Sequence, residues 1–159
     1  MGSLSSSAQK IQDSLRRLGS NSVVIEFSGS TRTAQEAADQ VGCQLGQIVK
    51  SMVFKGLQSN KGILVLTSGA NRVDEKKISQ STGEGIGRAD ADFVRNTTGF
   101  AIGGVPPVGH SNSLETYMDE DLLQYPTVWA AAGTPNAVFE VAPSILVNIT
   151  HAQVVCVKP

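Results

Sequence analysis

Lys50-Ser51-Met52-Val53-Phe54-Lys55 and Gly62-Ile63-Leu64-Val65-Leu66-Thr67 decide how this chain folds. The first run, with Met52, Val53 and Phe54 between polar ends, reads as a strand, and the second is the clearest buried strand of the sequence. Gln58-Ser59-Asn60-Lys61 between them reads as a hairpin-like loop. Upstream, residues 5–18 carry Ala8, Ile11, Leu15 and Leu18 at helical spacing, with serines to cap the start and Gly19 to end it. Residues 23–27 form a β-branched strand, Thr33-Ala34-Gln35-Glu36 is a capping box opening a helix through Val41, and residues 45–49 add a helical turn. Downstream, helices are expected at 74–81, 91–96, 120–124 and 143–148, the last with proline in its first turn. Strands are expected at 115–118, 128–132, 137–141 and 154–157, and residues 83–87 read as a loose glycine-rich stretch. Strands joined by short turns and interspersed irregularly with helices predict an α+β domain: a mixed, mostly antiparallel sheet with flanking helices, one domain over residues 1–159.

Composition excludes several functions. The 159 residues hold 13 basic and 14 acidic side chains, a net charge of -1, which argues against a broad phosphate-binding face. Any nucleic acid must be gripped locally, at one end, by a few cations. Cys43 and Cys156 lie far apart and offer neither a disulfide framework nor a zinc spacing, so a reducing cytosol is the expected compartment. The first residues lack the regions of a signal peptide, and no apolar run reaches the length of a membrane span, so a soluble, cytoplasmic protein is expected. Asp119, Glu120, Asp121 and the two histidines show no paired ligand spacing, and no metal or cofactor is expected.

The densest local signal is Gly103-Gly104-Val105-Pro106-Pro107-Val108-Gly109-His110, entered through Thr98-Gly99-Phe100-Ala101-Ile102. Glycines admit backbone conformations and close approaches that a β-carbon forbids, while Pro106 and Pro107 freeze two φ angles and withhold two N–H groups. The remaining amides must point where this shaped loop sends them, which suits an anion or an oxyanion as well as it suits a rigid turn. His110 reads either as a base or donor or as a brace for the loop. No serine sits in a nucleophile elbow, and His151 lies in a surface turn, so a catalytic triad is not supported. Gly83-Glu84-Gly85-Ile86-Gly87 matches no phosphate-binding fingerprint. Lys50, flanked by Ile48, Val49, Met52 and Val53, is either an ordinary outward residue of its strand or an inward cation that demands an anionic partner.

With Lys50-Ser51, Ser68-Gly69-Ala70-Asn71-Arg72-Val73-Asp74, Thr98-Gly99-Phe100 and the loop 103–110 in order, the chain resembles the YbaK/ProX-type aminoacyl-tRNA deacylases, free-standing relatives of the editing domain of prolyl-tRNA synthetase. The likeness runs from about Thr31 to Leu146. It implies hydrolysis of the ester joining a wrong, small amino acid (alanine, cysteine or serine) to tRNA, with the acceptor end of proline tRNA as partner. Prolyl-tRNA synthetase and an elongation factor are candidate helpers. The family lysine falls on Lys50, the Gly-x-x-x-Pro loop on Gly103 to Pro107, and the small-residue turn on Ala132 and Gly133. Ser51 takes a position that helps set amino-acid preference, and Asn136 stands near where some relatives carry a histidine. The implied catalytic set is Lys50 with the amides of Gly103, Gly104 and Val105, and Ser51, Pro106, Pro107, Gly109, His110, Ala132 and Gly133 surround the substrate. Such amides suit the oxyanion of ester hydrolysis, where one donor is typically worth about 3 to 4 kcal/mol. The alternatives are a non-catalytic module that holds aminoacyl ends or a small amino-acid-like ligand, and, less directly, a general esterase or a synthetase-associated scaffold.

Overall fold

The computed structural model describes residues 3–159 and places the hairpin at the centre of an eight-stranded sheet. Strands β1 (Val24–Glu26), β2 (Ile48–Gly56), β3 (Gly62–Ser68), β4 (Ile86–Arg88), β5 (Glu115–Asp119), β6 (Val128–Ala131), β7 (Ala137–Val141) and β8 (Gln153–Val155) lie in the order β1-β7-β6-β2-β3-β5-β8, with β4 on the far end of β2. Four pairings are antiparallel, β1 with β7, β2 with β3, β2 with β4 and β6 with β7. Three are parallel, β2 with β6, β3 with β5 and β5 with β8. The sheet is therefore mixed rather than mostly antiparallel. Parallel partners are distant in sequence, so no local turn announces them.

Helices α1 (Ser6–Arg17), α2 (Ala34–Val41), α3 (Glu75–Thr82), α4 (Ala91–Thr98) and α5 (Pro143–Thr150) cover both faces. On one face Ala8, Ile11 and Leu15 of α1 and Leu146 of α5 meet Val49, Leu64, Leu66, Met118 and Phe139. Ile11 and Leu15 are fully buried, and each contributes about 1.5–3 kcal/mol by leaving water. On the other face Ile78 of α3 packs against Phe54 and Val65, while Ala37 and Ala38 of α2 pack against Ile48. Covered on both sides, β3 is buried at every residue. Thr33 and Glu36 close both halves of the expected capping box. The glycine-rich stretch contributes β4, which sequence alone reads as loose: Gly87 is bare where Leu57 packs, a β-carbon there lying 3.0 Å from Leu57 Cδ2.

One defect in the sheet positions the site. Gly69 N–H donates to the Ile48 carbonyl (2.7 Å) and Gly56 N–H to the Lys61 carbonyl (2.9 Å), so the main-chain groups of Ile48, Lys50, Met52 and Phe54 face β3. Those of Ser51 face the opposite edge, by the alternation of an antiparallel ladder. Along that edge β6 pairs only at Ile48↔Trp129 and Val49↔Ala130. β4 begins only at Phe54↔Arg88. Ser51 falls in the gap.

The segment over this gap is stapled by Thr98. Its Oγ1 donates to the Val94 carbonyl (2.7 Å) and accepts from Phe100 N–H (3.0 Å), and its own carbonyl accepts from Ser111 N–H (3.0 Å). Both ends of the glycine-proline loop thus meet at one buried residue. Thr98→Val leaves the Phe100 N–H without a partner, at an expected cost of about 1–3 kcal/mol in urea denaturation. Thr98→Ser should retain most of the wild-type stability, since it keeps the hydroxyl.

Candidate active site

Two clefts meet above the gap. The smaller, about 360 Å³, has Ile48, Ala130 and Val138 among its apolar lining and Arg32 and Lys50 among its polar lining. The larger, about 620 Å³, is flanked by Arg72 and Arg88, with Glu75 also on its wall. Both are lined by Ser51 and Met52 from β2 and by Ile102, Gly103 and Val105 from the loop. The groove therefore carries four cations against one acid on a chain whose net charge is -1. Among the described residues none of the four is paired with a carboxylate.

Lys50 is half-buried, and its Nζ donates to the Asn71 carbonyl at 2.6 Å. Asn71 is itself fixed, its side-chain amide donating to Asp119 Oδ2 (2.9 Å) and Asp121 Oδ2 (2.8 Å). Asp119 is buried and also accepts from Ser68 N–H (3.0 Å). Burial depresses the Lys50 pKa below the ordinary lysine value, the neighbouring Arg72 depresses it further, and Asp119 opposes both. The ammonium is held by neutral main chain rather than by a carboxylate, which leaves its charge uncompensated toward the groove.

The loop amides divide into used and unused donors. Gly104 N–H donates to the Ala101 carbonyl (3.1 Å), and the Gly104 carbonyl accepts from Gly133 N–H (3.0 Å). A β-carbon at Gly104 would lie 2.9 Å from the Thr134 backbone, so the loop presses onto the late turn there. This removes Gly104 from the expected set of oxyanion donors: its N–H is committed to a turn, and it lines neither cleft. The N–H groups of Gly103 and Val105 have no partner among the described residues. Gly103, at φ 97°, holds a conformation that L side chains resist, and Arg32 lies across its bare face.

The other expected substrate contacts stand behind the groove. Pro106, Pro107, Gly109, His110, Ala132 and Gly133 line neither cleft. A β-carbon on Gly109 would sit 2.8 Å from Ile11 Cδ1, so the loop rests on α1 at that point. His110 lies with Nε2 at 2.6 Å from the Pro106 carbonyl. A carbonyl only accepts, so Nε2 carries the hydrogen and donates, and this contact braces the proline pair. Asn136 ties the late turn to the exit of β1, its Nδ2 donating to the Phe27 carbonyl at 2.7 Å.

Ser51 presents a different signal: its Oγ is buried and has no hydrogen-bond partner. A buried hydroxyl left in that state costs about 1–3 kcal/mol, and Ser51 lines both clefts where they join. Reading by sequence passed over Arg32, Arg88 and Trp129, which also line the groove. Each is distant from Lys50 along the chain, and nothing local to them marks the site.

The model of the aminoacyl-tRNA editing domain matches residues 28–149. The chain belongs to that family. Among solved structures it is similar to one provisionally assigned as a trans-editing enzyme for prolyl tRNA synthetase, 50% identical over 99% of both chains with a TM-score of 0.93. Among curated proteins it is 34% identical over 131 residues to the uncharacterized YwhH of Bacillus subtilis (strain 168), covering 82% of this chain and 83% of that one. It is 27% identical over 122 residues to EbsC of Enterococcus faecalis (strain ATCC 700802 / V583), provisionally named a Cys-tRNA(Pro)/Cys-tRNA(Cys) deacylase, covering 76% and 74% of the two chains. No described helix is long and apolar enough to cross a membrane.

The buried imidazole gives a pH dependence. Burial lowers the His110 pKa, outweighing its bond to the Pro106 carbonyl, from an ordinary value of 6.5. The unfolded chain then takes up a proton that the folded chain refuses, so stability is full above about pH 6.5 and falls as the pH drops toward the depressed folded value. Thermal melts between about pH 7.5 and 5.5 should record this decline, and His110→Gln, which keeps a donor without a titrating ring, should flatten it.

Proposed function

We propose that this chain is a trans-editing hydrolase that cleaves the ester of mischarged tRNA, with proline tRNA bearing a small wrong amino acid such as alanine, cysteine or serine as substrate. The observation that carries this reading is that the residues of the two partnerless amides, Gly103 and Val105, line the same cleft as Ser51 and the half-buried cation Lys50. Family membership and the assigned names of its relatives support it. In this reading the ester carbonyl turns its oxygen toward the two amides. Water adds to the carbonyl carbon, and the negative charge that develops on that oxygen meets donors already in place. The carbon–oxygen bond to the ribose then breaks, the ribose oxygen takes up a proton, and free amino acid and tRNA leave. No protein nucleophile enters the scheme.

Lys50 serves as the anchor for the terminal phosphate or ribose. It lines the smaller cleft and feels the charge of Arg72 in the larger one, so it stands where the two halves of an aminoacyl nucleotide meet. The larger cleft between Arg72 and Arg88 suits the terminal nucleotide, and the smaller, walled by Ile48, Ala130 and Val138, suits a short side chain. A wall of that kind rejects larger residues by clash but separates side chains differing by one methylene by only about 1 to 3 kcal/mol. Several small amino acids are thus expected to be removed. Four groove cations on a near-neutral chain suit a grip on the acceptor end alone, which implies weak affinity for tRNA and a place for prolyl-tRNA synthetase or an elongation factor in delivering it.

Proline tRNA charged with alanine, cysteine, serine or threonine tests the reading. Turnover of at least one is expected, and Lys50→Ala should lower kcat/KM by about tenfold or more, equivalent to roughly 1.4 kcal/mol, with an unchanged circular dichroism spectrum. Binding without turnover across the panel would indicate a holding module instead. Because the Lys50 pKa is depressed, the alkaline loss of activity should fall below pH 10.5. Arg72→Gln removes the like charge and should move that limb to higher pH, whatever it does to the rate.

A further inference from the structure

We infer that Asn71 is a positioning residue for the cationic anchor: its carboxamide, gripped by two carboxylates, fixes the main-chain carbonyl that holds the Lys50 ammonium and so sets where that charge stands. This rests on the deacylase reading above. The carboxamide can face Asp119 and Asp121 only with its amino end, because a carboxylate accepts and does not donate. Both Nδ2 hydrogens are then used, one on Asp119 Oδ2 (2.9 Å) and one on Asp121 Oδ2 (2.8 Å). The Asn71 main chain is tied as well, its N–H donating to the Ser68 carbonyl at 2.9 Å. Its own carbonyl is left to accept from Lys50 Nζ at 2.6 Å.

The clamp is itself held in place. Asp119 is buried and accepts from Ser68 N–H (3.0 Å) and, through Oδ1, from Asp121 N–H (2.9 Å). Asp121 is gripped from outside by Lys158 Nζ at 2.8 Å. Further along, Asp74 N–H donates to the Val157 carbonyl at 2.7 Å. The segment from Ser68 to Asp74 is thus tied at both ends and at Asn71, and it also carries Arg72 on the wall of the larger cleft. Two of the ties come from Val157 and Lys158, which follow the segment matched by the family, residues 28–149. A lysine ammonium rides on a long flexible stem, so a fixed acceptor decides where it stands. A carboxylate in direct contact would hold it too, but would cancel the charge that a phosphate has to meet. Asparagine resolves the conflict: its side chain takes the carboxylates and its neutral carbonyl takes the ammonium.

A double-mutant cycle separates positioning from mere support of the fold. kcat and KM are measured for wild type, Asn71→Ala, Lys50→Ala and the double variant, on whichever alanyl, cysteinyl, seryl or threonyl ester of proline tRNA the wild type turns over fastest. Asn71→Ala is expected to lower kcat/KM by about fivefold while Lys50 is present and by less than about twofold in the Lys50→Ala background, since residues that act as one unit are not additive. Both single variants should also move the same parameter, kcat or KM, because Asn71 acts through Lys50. Asp121→Ala removes one of the two clamping carboxylates at a partly exposed position. It should repeat the pattern with a smaller loss, and it carries the test if Asn71→Ala does not fold. Equal fold losses in the two backgrounds, or unchanged activity in the single variants, would overturn the inference and leave the deacylase reading intact. So would a loss in kcat for one residue and in KM for the other. Absence of wild-type turnover on all four esters would overturn the deacylase reading, and the inference with it.

Discussion

The site depends on a ladder that is complete on one side of β2 and interrupted on the other. Along β3 the strand is paired from Val49 to Lys55, which fixes its twist and the direction of every main-chain group. Along the opposite edge two partners share the strand without meeting. An unpaired edge in the interior of a sheet is unfavourable unless something else takes its polar groups. Here the opening is roofed by a loop rather than filled by a strand, and a groove results. The roof is rigid for reasons independent of any ligand: Thr98 gathers both ends, His110 braces the prolines, and Gly104 is docked on Thr134. Preorganised donors of this kind do not have to be reoriented as charge develops, which is where their catalytic value lies.

Charge is distributed as the fold requires rather than as net composition suggests. The two ion pairs of the described residues, Lys61 with Glu115 and Lys158 with Asp121, do not line the clefts. The groove cations have no such neutralising partners. A chain near zero net charge can therefore present a locally positive trough, and it does so with a half-buried lysine whose ammonium is fastened to a carbonyl. Asp119 acts from behind Asn71, favouring the charged form without competing for the ligand side of the ammonium.

What the sequence made legible was residue type and local conformation. The strand-like run 50–55 and the apolar run 62–67 predicted the central hairpin, Thr33 and Glu36 predicted a capped helix, and Pro143 predicted the first turn of α5. Long-range matters were not legible. The parallel pairs join strands that no turn connects, and β4 is a short strand whose glycine is chosen for Leu57 rather than for its own propensity. Likewise, the loop sequence announced a shaped backbone, but only coordinates separate the Gly104 N–H, spent on Ala101, from those of Gly103 and Val105. Arg32, Arg88 and Trp129 reach the groove through tertiary contacts. The importance of Ser51 lies in what is missing beside it, and a missing neighbour leaves no trace in a sequence.

Helix α1 lies outside the segment matched by the editing-domain family, which begins at residue 28. Yet Ile11 stands directly behind Gly109 and, with Ser7, behind Gly133, the residue that holds Gly104. The backing plate of the loop is thus supplied by a portion of the chain that precedes the matched segment. Stiffness of the roof is in this sense borrowed: a change in this helix would reach the loop without altering a single residue of the groove.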